Sequence, residues 1–257
     1  MLEPGHVLAH RYEIRRKLGQ GGSAQVYLAY DRNSGRNRAL KEIKFAGDGK
    51  VHKRVQQEAE LVWQLNYPYF PEIFEVLTMQ EADYIVMEYL EGETLGNRLR
   101  RAGPQPWQEV RRWGKDLCLM LEYLHQHTPS LIYQDMKPDN VMVQPRGNLR
   151  LIDFGTVLKV QEGREGLRLG TKGFAAPEQF DYKKNIDVRT DVYSLGQTLC
   201  QLLTGNEPGE FSDREFRISG RRRFPRKLNR ILRKCIRENP EDRYQSCQQL
   251  REALCEI

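Results

Sequence analysis

The stretch from Tyr133 to Gly155 constrains the fold of this 257-residue chain most strongly. Two apolar runs within it, residues 141–143 and 149–152, predict short strands, and the Pro-Arg-Gly-Asn sequence between them predicts a hairpin turn. Four side chains around these strands suit the handling of a metal-bound phosphate and a nearby hydroxyl: Asp135, Lys137, Asn140 and Asp153. The hairpin would fix two of them, Asn140 and Asp153, on one rigid element.

The hydrophobic period changes along the chain and predicts two lobes. Strands are predicted at residues 12–18, 25–31, 37–43, 72–78 and 83–89. A helical pattern at 51–66 carries Val55, Ala59, Val62 and Trp63 at helix spacing. After residue 89 the period becomes about 3.6, with helices predicted at 94–102 and 106–127 and another opening at Asp191. We therefore expect an N-lobe at 1–88 and a C-lobe at 89–257.

The composition is that of a globular chain, because 39% of its residues are hydrophobic. No apolar leader follows Met1, and the longest uncharged stretch, 192–206, is too short and too polar to span a bilayer. The cysteines form no Cys-x-x-Cys pair, and Cys118 and Cys200 lie in apolar helical patterns typical of buried thiols. We expect a cytoplasmic chain, or the cytosolic domain of a longer membrane protein, with no zinc site.

The formal net charge of +6 is concentrated in one region. Residues 214–237 hold eleven lysines and arginines and one acid, which leaves a net charge of about −4 for the rest of the chain. The basic patch comprises Arg217, Arg221, Arg222, Arg223, Arg226 and Lys227. It is either a solvated surface or a site for acidic or phosphorylated protein partners or an anionic membrane; a nucleic-acid partner is the weaker alternative.

The stretch 133–155 resembles the catalytic loop and Asp-Phe-Gly segment of eukaryotic-type Ser/Thr protein kinases, most of all their bacterial members. The family template reads His-Arg-Asp-Leu-x-x-x-Asn and then Asp-Phe-Gly. Tyr133 and Gln134 stand where the template has His and Arg. The resemblance implies that Asp135 is the base that accepts the substrate hydroxyl proton and that Lys137 steadies the transferred phosphoryl group. The position of this lysine, two residues after the aspartate, implies Ser or Thr acceptors rather than Tyr.

The same resemblance extends to metal and phosphate binding. It implies that Asn140 and Asp153 hold two Mg²⁺ ions. The sequence Gly19-x-Gly21-Gly22-x-Ala24-x-Val26 resembles the kinase glycine-rich loop over the nucleotide phosphates, with Ala24 in place of its third glycine. Ala39-Leu40-Lys41 resembles the strand-three motif, which makes Lys41 the ligand of the α and β phosphates. Glu58 would pair with Lys41; Glu60 is the competing choice, but it lies about 200° around the helix.

A hinge and an adenine site are implied in the same way. Residues 87–92 resemble the kinase hinge, with Met87 as gatekeeper and the backbone of Glu88 and Leu90 bonded to the adenine edge. The residues that would sandwich the ring are Val26, Ala39 and Met142. Ordinary core packing is the alternative for these apolar side chains.

Downstream motifs resemble the peptide-binding side of the family. Thr171, in a Gly-Thr pair, would bridge Asp135 and Lys137, and Ala176-Pro177-Glu178 matches the Ala-Pro-Glu motif. Asp191 resembles the buried aspartate that anchors the catalytic loop backbone. Glu178 and Arg243 should form a buried ion pair.

The resemblance covers residues 12–254 and implies an α+β protein-kinase fold, with a small antiparallel β-sheet N-lobe with one helix and a larger, mainly helical C-lobe. It implies an enzyme that uses ATP and Mg to phosphorylate Ser or Thr of protein substrates. Two alternatives remain: a pseudokinase or ATP-binding scaffold, and a small-molecule kinase of the aminoglycoside type. The sequence also leaves a homodimer open.

The activation loop, residues 157–170, contains no Ser, Thr or Tyr. In kinases with Arg before the catalytic aspartate, that arginine grips a phosphorylated loop residue. Gln134 is neutral and cannot form a charge-assisted fork with phosphate. We therefore expect activity without phosphorylation of the loop.

Overall fold

The computed structural model describes residues 2–20, 24–44, 49–65, 67–79, 82–160, 170–181, 184–208 and 224–257. The chain divides into two compact units, Met1–Glu91 and Gly92–Ile257. Some of the predicted site residues lie outside the described ranges: Gly21, Gly22, Arg217, Arg221, Arg222 and Arg223. Residues 161–169 of the activation loop lie outside them as well.

The first unit is built on an antiparallel sheet with one helix. Its elements are β1 (Val7–Leu8), β2 (Tyr12–Gln20), β3 (Ala24–Asp31), β4 (Arg36–Lys44), α1 (Gly49–Gln64), β5 (Ile73–Met79) and β6 (Ala82–Glu88). The sheet order is β1-β2-β3-β4-β6-β5. The predicted meander β2-β3-β4 is confirmed, and the turn after β3 uses Gly35 at a positive φ of 67°, which glycine adopts without strain.

The two faces of this sheet have different roles because successive side chains of a strand point to opposite faces. One face forms an apolar core. Its buried residues are Leu8, Tyr12, Ile14, Tyr27, Ala29, Leu40, Ala82, Tyr84 and Val86. The other face carries Lys41, and α1 packs on the β5 and β6 part of the sheet. Strand β4 is therefore buried from Ala39 to Ile43 on both faces.

The exposure of Trp63 in helix α1 differs from what its spacing in the sequence predicts. The buried residues of α1 and of the position after it are Val55, Ala59, Leu61, Val62 and Leu65. Trp63 shares the helix spacing, yet it is 57% exposed. The reason is that Leu61 and Leu65 shift the buried arc, whose centre lies about 115° from Trp63 around the helix.

The second unit is mainly helical, which confirms the predicted α+β class. Its elements are β7 (Glu93–Thr94), α2 (Leu95–Ala102), α3 (Trp107–His125), β8 (Leu131–Ile132), β9 (Val141–Val143), β10 (Leu149–Leu151), β11 (Leu158–Lys159), α4 (Val188–Thr204), α5 (Arg226–Cys235) and α6 (Cys247–Cys255). Two small sheets, β10-β9-β7 and β11-β8, accompany the helices. Helix α4 begins three residues before Asp191, because Asp187 caps it by accepting from the Arg189 N–H.

The core of the second unit lies between α3, α4 and α6, which contact one another. The long helix α3 buries one apolar stripe, including Trp113, Leu117 and Leu121, as its period predicted. Four free cysteines are buried here, Cys118 and Cys200 among them, which confirms the expectation for those two. Among the described residues, no helix is long and apolar enough to cross a bilayer.

Candidate active site

Lys41 and Glu58 form an ion pair in the first unit. The Lys41 Nζ lies 2.6 Å from the Glu58 Oε1, and the two side chains are 11% and 12% exposed. Strand β4 positions the lysine and α1 the glutamate. The competing candidate, Glu60, is exposed to solvent. Glu58 thus holds the ammonium group in one position and neutralises part of its charge.

Three further candidate nucleotide ligands of this unit, Val26, Ala39 and Met87, lie on the same face as Lys41. Strand register pairs Val26 with Lys41 and Ala39 with Met87, and directly paired residues of antiparallel strands share a face. Gly19 pairs with Val26, and a Cβ built on Gly19 would meet no described atom within 4 Å. Packing therefore does not require a glycine at 19, whereas close approach of a phosphate would.

At the predicted hinge, the backbone N–H of Glu88 donates to the Glu72 carbonyl over 2.8 Å. A contact of Glu88 with adenine would thus have to use its carbonyl oxygen. Met87 is 9% exposed and Leu90 is 7% exposed, so both side chains also serve the core.

In the second unit, the predicted hairpin β9–β10 joins Asn140 to Asp153. Its register pairs Val141 with Leu151, and the Ile152 N–H donates to the Asn140 carbonyl over 3.1 Å. Gly147 sits in its turn at a positive φ of 86°. Met142 lies at the centre of β9, half-buried. The hairpin therefore sets the spacing of the two candidate metal ligands.

Asp135, Lys137 and Thr171 form one cluster of hydrogen bonds. The Thr171 hydroxyl donates to the Asp135 Oδ1 over 2.6 Å, and the Thr171 N–H donates to the same oxygen over 3.0 Å. The Lys137 Nζ donates to the Thr171 Oγ1 and to the Asp135 Oδ2, each over 2.7 Å. The structure thus brings Thr171 to Asp135 and Lys137, which lie 36 and 34 positions before it in sequence, as the resemblance grouped them.

The donor set around Asn140 and Asp153 fits a magnesium ion. The Asn140 Nδ2 donates to the Asp135 backbone oxygen and to its Oδ2, over 2.9 and 3.1 Å. The amide oxygen of Asn140 is therefore turned away from Asp135. A carboxylate and an amide oxygen are hard ligands of the kind that Mg²⁺ prefers, with substrate phosphates completing its shell.

Asp191 anchors the backbone of the catalytic loop. Its two carboxylate oxygens accept from the N–H groups of Tyr133 and Gln134, each over 2.8 Å. The His125 Nε2 lies 2.8 Å from the same carboxylate. Burial alone would lower the pKa of His125, but the hydrogen bond to Asp191 raises it to about 10. We therefore expect His125 to be a cation that compensates the buried aspartate.

Tyr133 replaces the usual histidine as a buried aromatic residue. Its ring meets that of Phe154 edge to face, with centroids 5.8 Å apart. Burial, together with the nearby carboxylates of Asp153 and Asp135, raises the pKa of Tyr133 well above its ordinary value. The phenol therefore stays neutral and contributes packing rather than charge.

Glu178 and Arg243 form the predicted buried ion pair. Two nitrogens of the Arg243 guanidinium donate to the two Glu178 oxygens over 2.6 and 2.8 Å, and the side chains are 0% and 1% exposed. Arg243 also donates to three backbone carbonyls, and Thr190 donates to Glu178. The pair is fully hydrogen-bonded, as a buried pair needs to be.

Sequence reasoning missed two residues of this region, His125 and Gln179. Gln179, 3% exposed, bonds both to the backbone at Ala176 and to the Gln134 carbonyl. A Gln three residues after a helix N-cap is a capping signal, but Ala176 lacks the Ser or Thr that usually marks it. His125 carried no signal, since a histidine at the end of an apolar helix has many possible partners.

Comparison with known proteins places these motifs in one family. Residues 12–255 match the protein kinase domain family. The chain is 31% identical to the serine/threonine-protein kinase PknB of Mycobacterium leprae over 280 residues, covering all of this chain and 44% of that protein. It is 30% identical to PknB of Mycobacterium tuberculosis H37Rv with the same coverage.

A third relative, the serine/threonine-protein kinase PksC of Streptomyces coelicolor, is 30% identical over 275 residues, covering 96% of this chain and 49% of that protein. The chain thus spans less than half the length of these relatives. The family match covers nearly the whole chain, and the relatives that it resembles are bacterial Ser/Thr kinases. The chain therefore belongs to the protein kinase domain family, as a serine/threonine protein kinase domain of the bacterial type.

Proposed function

We propose that this chain transfers the γ-phosphoryl group of ATP to Ser or Thr hydroxyls of proteins, with Mg²⁺. The observation that carries the proposal is the cluster of Asp135, Lys137 and Thr171. Thr171 and Lys137 orient the Asp135 carboxylate, which would accept the hydroxyl proton. The Lys137 ammonium, 2.7 Å from that carboxylate, would balance charge on the transferred group.

The family resemblance assigns nucleotide and metal roles to residues of each unit. Lys41, held by Glu58, would contact the α and β phosphates. Asn140 and Asp153 would hold the metal, which supplies neutralisation of the phosphate charge when bound. Gly19, Val26, Ala39, Met87, Glu88, Leu90 and Met142 are the proposed nucleotide contacts. Gly21 and Gly22, outside the described residues, remain proposed on the sequence resemblance alone.

Two other functions fit the geometry less well. A pseudokinase or scaffold would lack one of the catalytic groups, whereas Lys41, Glu58, Asp135, Asn140 and Asp153 are all present. A small-molecule kinase would not need the Glu178–Arg243 pair behind a peptide ledge. We therefore favour a protein substrate.

The test is incubation of the protein with Mg-ATP and a peptide library, with phosphosites mapped by mass spectrometry. Asp135→Asn and Asp153→Asn should each lower turnover by at least about 100-fold, because phosphoryl transfer depends on positioning and charge neutralisation. Both variants should keep the wild-type circular dichroism spectrum. Near-wild-type turnover in either variant, or phosphotyrosine as the main product, would contradict the proposal.

We also propose that the domain is active without phosphorylation of its activation loop. Uncharged contacts tie the start of that loop to the catalytic loop: the Gln134 Nε2 donates to the Thr156 carbonyl over 2.8 Å, and the Thr156 hydroxyl donates to the Tyr133 carbonyl over 3.1 Å. Strand β11 then pairs with β8. None of these bonds needs a phosphate. Regulation would act elsewhere, on the Glu58 helix or through dimerisation.

The measurement is the initial rate on a peptide after phosphatase treatment and phosphatase removal. The progress curve should be linear from the start. A lag that ends as Thr156 or Thr171 becomes phosphorylated would refute constitutive activity, while a flat baseline with every peptide would instead refute the kinase activity.

The basic patch is proposed as a docking surface for acidic or phosphorylated protein partners. Its described members, Arg226 and Lys227, are exposed at the start of α5, and Lys227 lies 2.9 Å from Glu256. Attraction between exposed charges is screened beyond about 8 Å at physiological salt, so partner affinity should fall steeply with added salt. An affinity that is unchanged by salt, or by Ala at Arg221, Arg222 and Arg223 together, would contradict this docking role.

The buried free thiols support a reducing, cytosolic location for the chain.

A further inference from the structure

We propose that Gln179 is a positioning residue which, together with Gln134, forms a neutral lock between the catalytic loop and the two ends of the activation segment (residues 153–178). This inference rests on the proposed kinase function and names a device that sets its peptide-side geometry. The pair Gln134 and Gln179 is this glutamine lock.

Gln179 makes two buried hydrogen bonds that point in different directions. Its Oε1 accepts from the Ala176 N–H over 2.7 Å, and its Nε2 donates to the Gln134 carbonyl over 3.1 Å. Gln179 sits in the short 3₁₀ helix Pro177–Phe180, directly after the partner of Arg243. The Ala176 side chain cannot cap this helix, so Gln179 satisfies a backbone donor that would otherwise be orphaned. One side chain thus links the end of the activation segment to the catalytic loop.

The Gln134 backbone, whose carbonyl accepts this bond, has an unfavourable conformation that its hydrogen bonds stabilise. Its φ is +68°, in the left-handed region that is strained for a non-glycine residue. Its N–H donates to Asp191 and its carbonyl accepts from Gln179. The next residue is Asp135, so any relaxation of the Gln134 backbone would rotate the catalytic carboxylate away from Thr171.

The side chain of Gln134 completes the lock at the other end of the segment. Its Nε2 donates to the Thr156 carbonyl over 2.8 Å. Gln134 therefore binds the start of the activation segment, at Thr156, with its side chain. Its carbonyl is linked through Gln179 to Ala176 at the end of the segment, 20 residues after Thr156. Both connections join uncharged groups, and both are buried or half-buried. They hold the ledge on which the peptide would lie without any phosphate.

Two substitutions of Gln179 distinguish the effects of its two hydrogen bonds. Gln179→Met keeps the length of the side chain and removes both bonds. Gln179→Glu keeps the acceptor for the Ala176 N–H but loses the donor to the Gln134 carbonyl. Gln248→Met, at an exposed glutamine of α6, is the matched control. All proteins are compared in steady-state kinetics with the peptide and ATP varied separately.

We expect both Gln179 variants to lower kcat/KM for the peptide roughly 10-fold, because each loses the buried hydrogen bond to the Gln134 carbonyl, with the KM for ATP changed by less than about twofold. Gln248→Met should match the wild type. Wild-type kcat/KM in Gln179→Glu would overturn the inference, because the bond to the catalytic loop would then be dispensable. Equal changes in the peptide and ATP constants would also overturn it, since they indicate a general structural defect.

A double variant tests whether the two glutamines act as one lock. Gln134→Met removes the bond to the Thr156 carbonyl, and the loss in Gln134→Met/Gln179→Met should be smaller than the product of the single losses, because both act through the same backbone. A fully multiplicative loss would overturn the shared lock. A wild-type protein without peptide activity would refute the proposed kinase function instead. In that case amide hydrogen exchange tests the lock. Unchanged protection of residues 134 and 176 in Gln179→Met would overturn the lock.

Discussion

At the scale of single residues, the ion pairs of this fold differ in burial, and the Glu178–Arg243 pair lies at the buried extreme. Both of its side chains are almost fully buried, and the arginine also bonds to the carbonyls of Arg189, Arg237 and Glu238. The Lys227–Glu256 pair has similar chemistry at 2.9 Å, but its side chains are 47% and 67% exposed. Burial rather than distance separates the two pairs.

Arg243→Met should destabilise the protein by about 3–5 kcal/mol, because it leaves the Glu178 carboxylate buried without a counter-charge. Lys227→Met should cost at most about 1 kcal/mol, as exposed pairs do. Urea unfolding of both variants checks this. Equal losses in the two variants would mean that burial does not set the energy of these pairs.

At the scale of elements, α3 and α4 support the catalytic loop through the contact of His125 with Asp191. The carboxylate faces His125 and the two backbone N–H groups of the loop, and the Cys247 thiol on α6 contributes to the raised pKa of His125. Three helices thus meet at one charged group. The proton on His125 should therefore make the stability of the second unit depend on pH.

The sign of this coupling follows from the raised pKa of His125, about 10 in the folded protein against 6.5 ordinarily. The stabilisation is fully present below pH 6.5 and is lost as pH rises towards 10. In urea unfolding at pH 6.5, 7.5 and 8.5, the wild type should lose about 1 kcal/mol per pH unit more than His125→Gln. The raised pKa values of Cys200 and Cys235 do not depend on His125, so their contributions cancel in the difference. Parallel pH profiles would refute a charged His125.

At the scale of the whole molecule, the two units each carry part of the proposed nucleotide chemistry. Lys41 and Glu58 lie in the first unit, and Asn140 and Asp153 lie in the second. Among the described residues, no group of three or more His, Cys, Asp and Glu could hold a metal by itself. We expect metal and ATP to bind together, because Mg²⁺ is usually held by one or two carboxylates together with substrate phosphates.

ATP at about 100 times its dissociation constant should stabilise the protein by about 2.7 kcal/mol, which raises the thermal midpoint by roughly 5 °C or more, and this shift should depend on Mg²⁺. Asp153→Asn should lose the Mg²⁺-dependent part and keep its midpoint without ligand. Differential scanning fluorimetry with ATP in Mg²⁺ or in EDTA measures both. The same shift in EDTA would contradict the assigned metal ligands.

The sequence by itself determined the fold class, most element positions and the family, because these depend on local signals: period, turn residues and motif spacing. The hairpin at 141–151 and the Glu58 assignment are examples, since each follows from the geometry of one or two elements. Whether the named residues perform their assigned chemistry stays a prediction.

Only the tertiary structure decided which strand lies beside β4, which face of α1 is buried, and what surrounds Gln134. Pairing of β4 with β6 rather than β5 follows from how the chain returns after α1, and no local pattern encodes it. Trp63 is exposed because two leucines shift the buried arc. Gln179 meets Gln134 across 45 residues through a backbone carbonyl, an acceptor that every residue carries and that sequence therefore cannot distinguish.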